Sequence, residues 1–292
     1  MFDNIFAAIE KWMRELLTGM VESNMSTMFT DVNEKTSEIA AQVGRTPQNW
    51  NSSVFSMIQN LSESVVVPIA GIIITLVLCY ELISMLTERN NLHDVDTWMF
   101  FKYFVKAWVA IYLVSNTFTI TMAVFDVGQS VVNSASGIIN GETAIDVSSL
   151  SMQMQAAMAT MEIGELVVLA LETFLVSFCM KIMSVVITVI VYGRMIEIYL
   201  YTSLAPIPFA TMSNREWGHV GTNYFRGLFA LAFQAFLMMV CVAIYAALIS
   251  SVRISSNMHS ALIGVAAYTV ILCFSLMKTG SLSKQIFGSR AD

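Results

Sequence analysis

The chain has 292 residues, 56% of them hydrophobic and 12% charged, with a mean hydropathy of +0.67, which is more apolar surface than one soluble core of this size can hide. The formal net charge of -6 is spread thinly, with no basic run that would advertise binding to duplex nucleic acid or to anionic lipid, so net charge is a poor guide to partners. Cys79, Cys179, Cys241 and Cys273 all lie in apolar stretches and read as small hydrophobes rather than as disulfide or metal ligands.

The first residues lack the basic segment and unbroken apolar core of a signal peptide, so the N-terminus is expected to be kept. Residues 2 to 20 place Phe2, Ile5, Phe6, Ile9, Trp12, Met13, Leu16, Leu17 and Met20 on one helical stripe, with Asp3, Glu10, Lys11, Arg14 and Glu15 opposite. So charged a helix cannot span. It is expected to lie at a membrane interface, to dock on a partner through Phe6, Ile9, Trp12 and Leu16, or to pack on its own protein. Residues 23 to 63 are polar and carry the breaker Gly44-Arg45-Thr46-Pro47, which predicts a small extramembrane segment. Its Asn-x-Ser triplets at Asn24, Asn51 and Asn60 matter only in a secreting eukaryote.

A span needs roughly 20 mostly apolar residues to cross about 30 Å of hydrocarbon. The first is predicted from Val65 to Leu86, with Pro68 in its first turn and Glu81 near its far end. The second runs from Trp98 to about Met122, with Lys102 and Lys106 near enough to the interface to snorkel, and its helical pattern reaches Val131. Residues 126 to 162 contain no Lys or Arg and include the flexible Ser134-Ala135-Ser136-Gly137, which predicts an extramembrane loop. A methionine cluster follows at Met152, Met154, Met158 and Met161, suited to gap filling or to an adaptable contact.

Apolar character resumes at Ile163 and lasts to Pro206, enough for one span with an interfacial helix or for two short spans. Cytoplasmic loops carry the Lys and Arg excess, so the base-free loop belongs outside and the region of Arg89, Lys102 and Lys106 inside. A single crossing from Leu166 to Val191 then puts Arg194, Arg215 and Arg226 in the cytoplasm. Spans at Gly227 to Ile249 and Ser260 to Met277 return Lys278, Lys284 and Arg290 to the same side. The expectation is an all-α integral membrane protein of about five transmembrane helices plus an N-terminal amphipathic helix, N-terminus outside and C-terminus inside. Six spans is the alternative. The expected divisions are 1–22, 23–63, 64–125, 126–162, 163–278 with a cytoplasmic loop near 206–226, and a tail at 279–292.

No HExxH, GxSxG or phosphate-binding loop occurs, and His93, His219 and His259 are far apart, so neither an enzyme nor a metal or cofactor site is expected. Intramembrane charge carries more information, because each ionised group at mid-bilayer costs roughly 2.5–3.5 kcal/mol and seeks a partner. Lys181 lies near the middle of the third span, and Glu172 falls on the opposite side of that helix, so each must find another helix, another subunit or water. Glu165 and Glu172 share a face fit for a proton or cation path or for an interhelical salt bridge. Gln234 reads as interhelical glue, and Ser260 and Gly264 as points of close approach.

The segment Leu204-Ala205-Pro206-Ile207-Pro208-Phe209-Ala210 ends a helix, since each proline removes a donor and disfavours helix before it. Asn214-Arg215-Glu216-Trp217 and Tyr224-Phe225-Arg226 follow as a polar, aromatic linker. With its outside N-terminus, five spans, outer loop, Ala-Pro-Ile-Pro break and Trp217, the chain over residues 60 to 280 resembles TrbL-type polytopic subunits of type IV secretion and conjugation machines. It looks closest to the short versions from Gram-positive conjugative elements. The resemblance implies a homo-oligomeric cytoplasmic-membrane scaffold and channel subunit. Its implied partners are other secretion subunits, separate ATPases and the lipid bilayer, with nucleic acid as the transported substrate. A stand-alone ion-coupled transporter or channel using Glu165, Glu172 and Lys181 is the alternative.

Overall fold

The computed structural model describes residues 2–87, 97–139, 147–251 and 258–289, and among them every regular element is helical. In chain order the helices are α1 (Phe2–Val43), α2 (Pro47–Trp50), α3 (Ser52–Leu61), α4 (Val67–Thr87), α5 (Thr97–Ser115), α6 (Thr117–Ile139), α7 (Val147–Met158), α8 (Ile163–Ser203), α9 (Pro206–Thr211), α10 (Gly218–Ser250) and α11 (Met258–Ile286). Five are long and apolar enough to cross a membrane: Ser52–Thr87, Trp98–Ser115, Ile163–Ser203, Gly218–Ser250 and Met258–Ile286. The protein is a polytopic all-α membrane protein, as expected. The long apolar block at 163–203 is one continuous helix rather than two short ones. Arg89, His93, Glu142, Asp146, Arg253 and Arg290 lie outside the described residues.

The chain forms two compact units, one of Met1–Val43, Ser134–Val191 and Met238–Lys278, the other of Gly44–Asn133, Tyr192–Leu237 and Thr279–Asp292. In the first unit, α1 continues well past the amphipathic stretch seen in the sequence. No proline interrupts residues 20 to 43, and Val21, Met25, Met28, Val32, Ile39 and Val43 recur at helical spacing and are buried. The polar residues between them fall on the outer face, so composition alone reads this stretch as a polar segment. α7 packs on α1, with Met154 and Met158 buried. Leu166 and Leu169 of α8, Met238 and Tyr245 of α10, and Leu262 and Val265 of α11 are among the other buried residues of this unit. The Tyr245 hydroxyl lies 2.9 Å from that of Thr269.

The second unit begins at the predicted breaker. Thr46 caps α2 by accepting from the Asn49 N–H at 3.3 Å, and Asn51 caps α3 by accepting from the Val54 N–H at 3.0 Å. The Tyr199 hydroxyl donates to the Pro47 carbonyl at 2.6 Å, and Trp50 packs edge-on against Tyr192. Ile58, Phe118, Phe125, Met195, Ile198 and Leu228 form the adjoining core.

Pro68 does not open its helix. The helix runs from Ser52 to Thr87 through a π-turn at Ser62–Val66, where the Val67 N–H reaches the Ser62 carbonyl. Widening the turn just before a proline relieves the clash its ring makes one turn back. The second predicted span, by contrast, is shorter than expected, since α5 stops at Ser115 and α6 starts at Thr117. The Asn116 amide donates to the Tyr112 carbonyl at 2.9 Å, and the Thr117 hydroxyl donates to the carbonyls of Leu113 and Val114. The serine-rich Ser134-Ala135-Ser136-Gly137, expected to be flexible, belongs to α6.

A Cβ on Gly128 of α6 would sit 2.8 Å from the Ala232 carbonyl oxygen of α10, whereas one on Gly264 meets nothing within 4 Å, so close approach belongs to Gly128 and not to Gly264. Gly128→Ala is expected to lower stability by about 1–3 kcal/mol, because backbone cannot yield as a side chain can. Gly264→Ala should leave stability unchanged or raise it by up to about 1 kcal/mol. Thermal unfolding of the two detergent-solubilised variants checks both.

Candidate functional site

Two polar features carry the site, a proline elbow and a set of ion pairs between helices. At the elbow, α8 ends at Ser203 and α9 begins at Pro206, whose missing N–H costs nothing in a first turn. Pro208 follows within α9. α9 folds back on α4 and α5, burying Phe209 and Ala210 against Ala70, Ile74, Ala110 and Val114. Asn214 opens the next helix, its Oδ1 accepting from the N–H groups of Glu216 at 2.7 Å and Trp217 at 3.0 Å. Trp217 stacks on Tyr80 with ring centroids 5.8 Å apart, and the Tyr80 hydroxyl donates to Glu216 at 3.0 Å.

Glycine lets the elbow close. A Cβ at Gly221 would overlap the Pro208 carbonyl oxygen, and one at Gly227 would overlap the Tyr201 hydroxyl. Between them, Tyr201 and Tyr224 stack at 4.4 Å and 7°, each donating to the other's backbone carbonyl, at 3.2 and 2.6 Å. Nothing in the local sequence pattern pairs these tyrosines, because the partner carbonyls belong to different helices. Arg226 is exposed on α10.

Each intramembrane charge anticipated from the sequence has a definite place. Glu81 of α4 pairs with Lys106 of α5. Glu172 of α8 pairs with His259 of α11, so this histidine is not merely solvated. Glu165, in the first turn of α8, accepts from the Glu162 N–H at 3.3 Å. Lys181 is exposed and makes no ion pair or hydrogen bond among the described residues. Glu165, Glu172 and Lys181 are thus not brought together. Gln234 is buried and donates to the Thr279 hydroxyl at 3.4 Å, while its Oε1 has no partner. Sequence reasoning passed over Arg194, taken as a cytoplasmic base. It is 7% exposed, donates from Nη2 to the Leu231 carbonyl at 3.3 Å and leaves Nε unpartnered. Glu197, one turn on, is held by Lys284 at 3.0 Å. Phe6, Ile9, Trp12 and Leu16 of α1 are all exposed, at 68, 48, 61 and 49%. No group of His, Cys, Asp and Glu able to hold a metal occurs among the described residues.

Five helices long and apolar enough to cross a membrane among the described residues, with ion pairs between helices and an elbow packed on α4 and α5, define a polytopic helical membrane protein. A family model described as TrbL/VirB6 plasmid conjugal transfer like protein matches residues 32–206. That match covers more than half of the chain, which belongs to this family and is a conjugal-transfer membrane component. Searches of curated proteins and of solved structures return no significant match.

The Glu81–Lys106 pair is open to a double-mutant cycle. Lys106→Ala or Glu81→Gln alone leaves one polar partner facing hydrocarbon, whereas the double variant removes both. Each single variant should unfold in detergent at a lower temperature than the double, with a coupling of roughly 0.5–3 kcal/mol. Additive losses would mean that the two side chains act independently.

Proposed function

We propose that this chain is a non-enzymatic scaffold and channel subunit of a conjugative type IV secretion system, acting as a homo-oligomer in the cytoplasmic membrane. Separate ATPases supply the energy, and DNA or protein is the cargo. Family membership supports the machine, and the apolar face of α1 supports the role within it. A helix that leaves Phe6, Ile9, Trp12 and Leu16 uncovered has a surface to bury, and the bilayer interface or a neighbouring subunit would bury it. The transporter reading draws no support from Glu165, Glu172 and Lys181, whose contacts are separate.

In this reading the N-terminus and residues 126–162 face outward, and the elbow and C-terminus face the cytoplasm, following the distribution of Lys and Arg. In a chain stripped of its own cysteines, Met152→Cys should react with an impermeant thiol reagent in intact cells and Arg215→Cys only after lysis. Both positions are exposed. Labelling of Arg215→Cys from outside overturns this orientation.

Trp12→Glu combined with Leu16→Glu interrupts the apolar stripe at little cost in helix propensity. Transfer of a marked conjugative element from donors carrying only this variant should fall at least about tenfold, the fall in occupancy expected of a weakly populated docked state that loses about 1.4 kcal/mol. The spans should still fractionate with membrane. Undiminished transfer would make the stripe dispensable.

A further inference from the structure

Within the first unit, α1 and α8 run side by side in the same direction. Arg14 donates to the Met161 carbonyl at 2.8 Å and Asn24 to the Thr173 hydroxyl at 3.5 Å. The Ser177 hydroxyl donates to the Asn24 carbonyl at 3.2 Å, and Lys35 to the Thr188 hydroxyl at 3.3 Å. The contacts advance in step, so α1 between Asn24 and Lys35 is level with α8 between Thr173 and Thr188. Over that stretch α8 exposes Phe174, Leu175, Phe178, Ile182 and Val185, at 46 to 64%, a face suited to hydrocarbon. At the same depth α1 exposes Ser23, Thr27, Thr30, Glu34 and Ser37. Lipid is the wrong solvent for this face, because an ionised group there costs several kcal/mol unless it is paired.

The unpaired charges at this depth are of opposite sign. Asp31 and Glu34 of α1 and Lys181 of α8 have no ion pair or hydrogen bond among the described residues, in contrast to Lys35, which is bonded to Glu38. Asp31 borders a cavity of about 20 Å³ with Lys35 and Ser184, room for about one water and no larger ligand. Glu34 lies on the side of α1 opposite the buried Val32 and Ile39 stripe and points away from the unit.

We infer that the outer face of α1 is covered by a second copy of this chain, with Glu34 of one protomer facing Lys181 of its neighbour. Small side chains at Ser23, Thr27, Thr30 and Ser37 allow close helix approach and offer hydroxyls to hydrogen-bond across the contact. Because Glu34 and Lys181 lie on different helices, either a two-fold or a head-to-tail arrangement can bring them together, and the head-to-tail one can close into a ring. Around such a ring every Lys181 pairs with one Glu34. The inference rests on the oligomeric-subunit reading and names the interface that reading leaves open.

The experiment uses the full chain, stripped of its four cysteines, in native membranes. When chains carrying Glu34→Cys are co-expressed with differently tagged chains carrying Lys181→Cys, oxidation should yield a mixed disulfide dimer that neither variant forms alone. Lys181→Glu and Glu34→Lys should each lower the oligomer fraction in mild detergent at least about tenfold, and their combination should restore it, which distinguishes a lost contact from misfolding. If the oligomer persists through the single reversals and no mixed dimer forms, this interface is wrong while the oligomeric reading stands. If the unaltered chain is monomeric in membranes, both fall. Rapid labelling of Glu34→Cys by an impermeant thiol reagent without cross-linking overturns the interface as well, since water and not a second copy then covers α1.

Discussion

Hydrocarbon does not solvate charge, and in this chain that constraint determines which helices must touch. Glu81 pairs with Lys106 on the next helix of the chain, and Glu172 with His259, 87 residues away, partners that lower the cost of charge inside a span. The hydrophobic effect does not discriminate among apolar helix faces inside a bilayer, because lipid tails are as apolar as leucine. Pairing of charges and hydroxyls does discriminate. The apolar core of each unit is therefore permissive, and its polar contacts select the neighbours. Gln234 with Thr279, Tyr245 with Thr269, and Ser283 donating to the Ala230 carbonyl extend the same selection to uncharged groups.

Backbone groups obey the same rule. Where Pro68, Asn116 and Pro206 disturb the helical ladder, the freed carbonyls are met by a π-turn, by back-bonding side chains, or by a new short helix that folds onto its neighbours. The elbow shows how much sequence this takes. Two prolines end the helix, Asn214 starts the next, and glycine at 221 and 227 makes room for a carbonyl and a tyrosine hydroxyl. Any one of these residues alone is unremarkable in a membrane protein. Together they hold α9 against α4 and α5.

Spans were legible in the sequence because length and hydropathy alone define them, and Glu81, Glu172 and Lys181 stood out because charge inside an apolar run is costly. Their partners were not legible. The spacing of Glu172 and Lys181 rules out a pair within one helix, but nothing local points from Glu172 to His259. α1 was underread for a related reason: its buried stripe of Val, Met and Ile is diluted by Ser, Thr, Asn and Glu, so composition suggests a loop where periodicity supports a helix. The π-turn at 62–66 and the break at Asn116 escaped because a proline or asparagine in an apolar run has several tolerated solutions, and tertiary packing chooses among them. Arg194 escaped because its position near the end of the predicted span made a cytoplasmic base the simpler reading, whereas the helix continues past it and buries it.

What separates a subunit from a self-sufficient transporter is where its polar groups remain open. A transporter working alone must gather ionisable groups around one central path, whereas here they are dispersed pair by pair between helices, each pair satisfied within the chain. Asp31, Glu34 and Lys181 are left without an ion pair or hydrogen bond among the described residues, and Glu34 and Lys181 are exposed. The apolar stripe of α1 is the complementary case, large hydrophobic side chains left uncovered on a charged helix. Both are costly for an isolated chain, one through unpaired charge and the other through exposed apolar area. In the proposed homo-oligomer both costs would be removed by neighbouring copies. In the proposed subunit these two surfaces are where neighbouring chains would meet.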